Sequence, residues 1–227
     1  MKYADRISEM INAFSPEPLK AEQMERFYCS DTMEYRMSDK YSSPIEDIFD
    51  ACQEPGGHNA FLLLGHRGCG KSTELNRMSA EFAGKGYQVR TITCSMDLDL
   101  FNIVYSDLFI LMGEALLKIA EESGCSINME ILDDIMNFWD EGVETVMSQE
   151  VETAFLETGI SAETPGILTK LLKLFAKIKA DLKFNEEIRR EYRKKISVRS
   201  SEWIRLLSHV SAEIAEKAEG KRPIIIF

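Results

Sequence analysis

The stretch AFLLLGHRGCGKST, residues 60–73, is the part of the chain from which we first predict the fold. Its first five residues are a short, continuous apolar run, which is typical of a buried strand in a parallel sheet. A glycine-rich turn follows, and we predict a helix over residues 71–83. Residues 87–94, YQVRTITC, predict a second strand. A strand, a turn, a helix and another strand together predict a βαβ unit, and therefore a parallel sheet.

The turn matches the pattern G-x-x-x-x-G-K-[ST], which predicts a phosphate-binding loop. Glycines let successive backbone N–H groups face phosphate oxygens, and the following helix adds free N–H groups and its positive dipole end. We expect Lys71 to reach the β- and γ-phosphates and the Ser72 hydroxyl to be the metal ligand, binding Mg²⁺. The pattern assigns no catalytic residue. The predicted nucleotide-binding residues are Gly65, His66, Arg67, Gly68, Cys69, Gly70, Lys71, Ser72 and Thr73.

Bulk composition narrows the classes of protein to consider. The 227 residues suit one large domain, or a domain with an insertion. A net charge of −11 argues against a broad nucleic-acid surface, so a nucleic-acid partner is not expected. The apolar runs are too short to span a membrane, and the first ten residues have no signal-peptide character. Five cysteines without a C-x-x-C pair fit a reducing compartment, and we predict a cytoplasmic protein.

Residues 100–220 read as nearly all helix, which is long for a simple crossover. Within them, residues 167–184 form a basic amphipathic segment that we expect to pack in its own domain rather than on a membrane. Asp97 and Asp99, after the second strand, are expected to cap the next helix rather than to bind metal. The chain then closes with a third strand. The predicted domains are an N-terminal helical lead (1–57), a P-loop βαβ core (58–99), a helical insertion (100–220) and a third core strand (221–227).

The stretch LLLGHRGCGKSTELNRMSAEF, residues 62–82, resembles the opening of P-loop ATPases of the AAA/STAND class, including KAP-like members. That resemblance implies an α/β fold with a parallel sheet, here incomplete at about three strands, plus a large helical insertion. It also implies ATP with Mg²⁺ as cofactors. The segment KRPIIIF, residues 221–227, resembles the third strand of that class, cut before its acidic Walker B pair. The resemblance therefore implies a truncated chain that binds ATP but hydrolyses it slowly or not at all.

Two functions from other classes remain open. One is a nucleotide or small-molecule kinase that transfers the γ-phosphate, with Asp97 or Asp99 near the acceptor. The other is a non-catalytic interaction module, with a structural phosphate site in the loop. The helices of residues 100–220 would be the working surface of such a module, and they are also where we expect any self-association or binding of a partner protein. The sequence does not choose between them.

Overall fold

The structure, a computed structural model, describes residues 7, 17–28, 48, 50–52, 60–140 and 166–227. The chain divides into two compact units, Met1–Tyr87 and Gln88–Phe227, here called the N-terminal and C-terminal units. The division falls inside the segment predicted as the P-loop core. Most of the predicted helical lead lies outside the described residues.

The N-terminal unit contains two described helices, α1 (Ala21–Phe27) and α2 (Lys71–Gly84). Polar contacts join α2 to the segment around α1. The Asn76 side chain donates to the carbonyl of Leu19 at 2.8 Å, and the Tyr28 hydroxyl donates to the Glu74 carboxylate at 2.5 Å. These contacts give α2 a polar anchor on the lead segment.

The strand predicted over residues 60–64 is wrong. These residues have no strand conformation, and their apolar side chains are exposed, up to 81% for Leu62 and 78% for Leu64. An extended segment is stable in an apolar environment only when a neighbouring strand satisfies its N–H and C=O groups. Within the described part of the chain, no strand offers residues 60–64 such a pairing.

The C-terminal unit is mainly helical. In chain order its described elements are β1 (Val89–Thr91), α3 (Cys94–Asp97), a 3₁₀ turn (Leu100–Asn102), α4 (Tyr105–Glu122), α5 (Met129–Asp140), α6 (Ile167–Phe184), α7 (Glu186–Val198), α8 (Ser200–Lys217) and β2 (Ile224–Ile226). Helices were expected through most of this region. The chain leaves helical geometry at Arg199, with φ −113° and ψ 31°, so α7 and α8 are two helices rather than one.

The predicted fold class, an α/β P-loop fold with a parallel sheet of about three strands, is wrong. The described chain is mostly helical and has two short strands. They pair in parallel with the register Val89↔Ile224, Arg90↔Ile225 and Thr91↔Ile226. The helices of the C-terminal unit therefore build the main core themselves, instead of forming an insertion in a sheet domain.

That core is centred on aromatic rings from four helices. Trp203 stacks on Phe138 with ring centroids 4.9 Å apart, and the indole N–H of Trp203 donates to the carbonyl of Phe109 at 3.0 Å. Helix α6 buries one apolar face against this cluster, as its amphipathic pattern predicted. The buried residues of α6 are Leu171, Leu174, Phe175, Ile178 and Leu182. Among the described residues, no helix has both the length and the apolar character needed to cross a membrane.

Candidate functional site

The backbone of residues 65–70 turns through two glycines in the left-handed region. Gly68 has a φ of 82° and Gly70 a φ of 90°, conformations that glycine adopts without steric cost. The N–H of Cys69 donates to the carbonyl of His66 at 3.3 Å. At Gly65 the chain is also close to itself, since a Cβ there would lie 2.7 Å from the Cys69 sulfur. The three glycines of the loop, Gly65, Gly68 and Gly70, thus stand where a side chain would strain or crowd the turn.

Lys71 closes the loop from the helix side. Its ammonium donates to the carbonyls of Gly65 and His66, both at 2.8 Å, and lies 3.8 Å from the Cys69 sulfur. The lysine side chain therefore bends back over the turn and contacts its first two residues and Cys69. This places a positive charge against the loop.

Helix α2 begins directly after Gly70. It has 14 residues, and no side chain caps its first turn. The four N–H groups at the start of a helix have no partner within the helix. Combined with the helix dipole, they make this end of α2 suited to an anion.

The two hydroxyls after Lys71 have different surroundings. Ser72 is exposed, as are His66, Arg67 and Cys69. The Thr73 hydroxyl, in contrast, accepts a hydrogen bond from the N–H of Leu19 at 3.2 Å. The structure therefore brings residues 65–71 together as one turn and directs Thr73 toward the lead segment.

A protein-only metal site is not found among the described residues, since they contain no group of three or more His, Cys, Asp or Glu side chains suited to a metal. Mg²⁺ commonly keeps several waters and takes one or two protein ligands plus phosphate oxygens. The exposed Ser72 hydroxyl fits that coordination. In the C-terminal unit, Asp99 accepts a hydrogen bond from the N–H of Phe101 at 3.2 Å, which is the capping role expected for it.

The sequence did not predict the polar contacts around the first turns of α2. Arg77 donates to Glu74 at 3.1 Å and lies over the ring of Tyr28 at 5.2 Å. Leu19 and Tyr28 are 54 and 46 residues from their partners in α2. No local pattern in the sequence signals pairings of such separation.

Among the described residues of the N-terminal unit, burial shifts the pKa of two titratable groups. Burial raises the pKa of the Cys52 thiol. Burial, followed by the charge of Cys52, raises the pKa of Tyr87. Both shifts favour the protonated, neutral forms. Neither group belongs to the loop, so both bear on stability rather than on phosphate binding.

No family model, no curated protein and no solved structure matches this chain.

Proposed function

We propose that residues 65–73 bind the phosphate groups of a nucleotide, with ATP and Mg²⁺ as the ligands. One observation carries this proposal. Gly68 and Gly70, both in left-handed conformations, lead directly into a 14-residue helix whose first turn has no side-chain cap. The proposal concerns the loop and does not require a sheet beside it.

The conformation of the turn supports phosphate binding through the backbone. Left-handed residues within a turn bring successive N–H groups to one side, which forms a concave site for an anion. Gly68 has no atom within 4 Å of the position of a Cβ. Among the described residues, the space on that side of Gly68 is therefore open.

Lys71 supplies the positive charge that would attract a phosphate to the loop. In the present arrangement its ammonium binds the carbonyls of Gly65 and His66. A phosphate would compete with these neutral carbonyl acceptors for the ammonium, because its oxygens carry negative charge and add the attraction between opposite charges. Lys71 thus holds the turn in shape and can turn its ammonium to a bound phosphate. Ser72, exposed beside it, would offer its hydroxyl to Mg²⁺.

The resemblance to AAA/STAND ATPases supports ATP as the nucleotide and ATP turnover as the activity of the class. The family's α/β sheet is not part of the proposal. If the chain instead phosphorylates a small molecule, product analysis distinguishes the two activities: an ATPase releases free phosphate, and a kinase forms a phosphorylated product.

Calorimetric titration of MgATP into the purified chain tests the proposal. Lys71→Ala should weaken binding at least about tenfold, because a hydrogen bond to a charged group is worth roughly 1.5–3 kcal/mol. Ser72→Ala should weaken MgATP binding more than metal-free ATP binding. Lys85→Ala is the matched control, since Lys85 follows the opposite end of the same helix.

Absence of MgATP binding in protein whose circular dichroism shows intact helices would overturn the proposal. Equal weakening by Lys71→Ala and Lys85→Ala would do the same, because it would show a general charge effect rather than a site at the loop.

A further inference from the structure

A small cavity of about 200 Å³ lies in the C-terminal unit, beside the end of β1. It is distinct from residues 65–73 and was not predicted. Residues from the end of β1, from α4 and from α6 line it. They are Arg90, Thr91, Ile92, Thr93, Glu114, Ala115, Lys118 and Lys179.

The charges lining this cavity are mostly positive. Three cationic side chains face a single carboxylate, although the chain as a whole carries a charge of −11. Glu114 is buried, with its side chain 7% exposed, and one of its oxygens accepts from Lys118 at 2.5 Å and from Lys179 at 3.2 Å. Glu114 therefore holds the two lysines side by side.

The third cation, Arg90, forms an ion pair with an exposed carboxylate. It contacts Glu122 at 2.6 Å, and Glu122 is 63% exposed to solvent. Such an exposed pair contributes little to stability. A guanidinium has five N–H donors and an ammonium has three. One contact to a carboxylate oxygen therefore leaves donor capacity on both Arg90 and Lys118.

We propose that this cavity binds a small ligand through a phosphate group. The phosphate would lie between Arg90 and Lys118, with the hydroxyls of Thr91 and Thr93 as further donors. Donors from several directions match the three terminal oxygens of a phosphate better than the two oxygens of a carboxylate.

The size of the cavity limits the ligand. Sites for drug-sized molecules measure about 300–1,000 Å³. A cavity of about 200 Å³ suits inorganic phosphate or the phosphate end of a small metabolite, but not a whole nucleotide. The ligand proposed for this cavity is therefore of a different class from the ATP proposed for the loop.

The test uses the full chain carrying Lys71→Ala, so that the loop contributes little. Calorimetry at low salt measures the binding of inorganic phosphate, glycerol 3-phosphate and acetate. We expect binding of at least one of the two phosphates and none of acetate. Tighter binding of glycerol 3-phosphate would identify a phosphomonoester as the ligand, and tighter binding of inorganic phosphate would identify the free ion.

In the same background, Arg90→Gln and Lys118→Gln should each weaken phosphate binding about tenfold or more. Lys194→Gln, which removes one positive charge from the exposed face of α7, should leave it unchanged. Arg90→Gln is the decisive variant if Lys118→Gln disturbs folding, because Arg90 pairs with an exposed carboxylate. The proposal would be overturned if Arg90→Gln still binds phosphate, or if acetate binds as tightly as phosphate. It would also be overturned if the folded protein binds no phosphate.

Discussion

Gly113 of α4 and Trp203 of α8 approach so closely that a Cβ on Gly113 would lie 2.6 Å from Cζ2 of Trp203. Two atoms of the Phe175 ring would lie 3.1 Å from the same Cβ. Both rings are fully buried, at 0% exposure, and the surrounding core leaves them little room to move. The glycine is therefore a packing requirement of the helical core.

We predict that Gly113→Ala destabilises the C-terminal unit. Overpacking costs about 1–3 kcal/mol, which exceeds the roughly 1 kcal/mol that alanine gains over glycine in a helix. Urea unfolding followed by tryptophan fluorescence measures the effect, since Trp139 and Trp203 both lie in this unit. Gly166→Ala is the control in the same unit, because no atom lies within 4 Å of its Cβ position and its φ of −55° suits alanine. An unchanged urea midpoint for Gly113→Ala would show that the core can accommodate the added methyl group.

A second prediction concerns a buried ion pair between Arg193 and Asp107. Arg193 contacts the two carboxylate oxygens at 2.9 and 2.6 Å, and the Asp107 side chain is 2% exposed. Arg193→Ala should destabilise the unit by about 3 kcal/mol, because it leaves a buried carboxylate without its cation. Urea unfolding by fluorescence again provides the measurement.

Arg190→Ala is the matched control on the same helix. Arg190 pairs with Glu186 at 2.5 Å, and both side chains are well exposed. Loss of such a pair should cost less than about 0.5 kcal/mol. Similar losses for Arg190→Ala and Arg193→Ala would contradict the distinction between buried and exposed pairs.

The reactivity of the cysteines gives a third prediction. Cys69 is exposed in the loop, Cys125 is buried, and burial raises the pKa of Cys52. Because the thiolate is the reactive form, iodoacetamide near pH 8 should modify Cys69 well before Cys52 or Cys125. MgATP should slow the modification of Cys69 if the loop binds nucleotide.

Peptide mapping by mass spectrometry after timed quenching provides the measurement. The same reaction in urea is the control, since all three thiols should then react at similar rates. Modification of Cys125 as fast as that of Cys69 in the folded protein would contradict the burial of Cys125.

A fourth prediction follows from Tyr87. Its pKa is raised, so the folded state keeps the phenolic proton at a pH where the unfolded state has begun to lose it. The unfolded state then binds fewer protons, and stability falls as pH rises. The contribution is complete below the unfolded pKa of about 10 and is lost as pH rises through the higher folded value.

Tyr87→Phe should therefore reduce the loss of stability between about pH 9 and 11. The ring contact with Phe82, at 5.5 Å between centroids, can persist in this variant. Thermal melts by far-UV circular dichroism at several pH values measure it, with Tyr105→Phe as a control at an exposed tyrosine. An alkaline loss as large as that of the unsubstituted chain would rule out a contribution from Tyr87.

Two apolar runs of the chain have similar sequences and different conformations. Residues 60–64 and residues 224–226 are both short and apolar. The second run pairs with β1, whereas the first has no strand conformation. Both runs carry the same local signal, and only the presence of a neighbouring strand distinguishes them.

Helices behave differently because each one satisfies most of its backbone hydrogen bonds within its own segment. The periodic apolar face of α6 therefore predicted both the helix and its buried side. The glycines of residues 65–70 are equally local, since the left-handed φ of Gly68 and Gly70 depends on the backbone of those residues.

The sequence by itself thus determined the glycine turn, the start of α2 and most helices of the C-terminal unit, because these features depend on contacts within a few residues. Tertiary structure alone decided which apolar runs became strands. It also placed the Leu19 N–H on the Thr73 hydroxyl and brought Arg90, Glu114, Lys118 and Lys179 around one cavity. Those outcomes depend on contacts between groups that are far apart in the chain, and no local sequence pattern predicts such contacts.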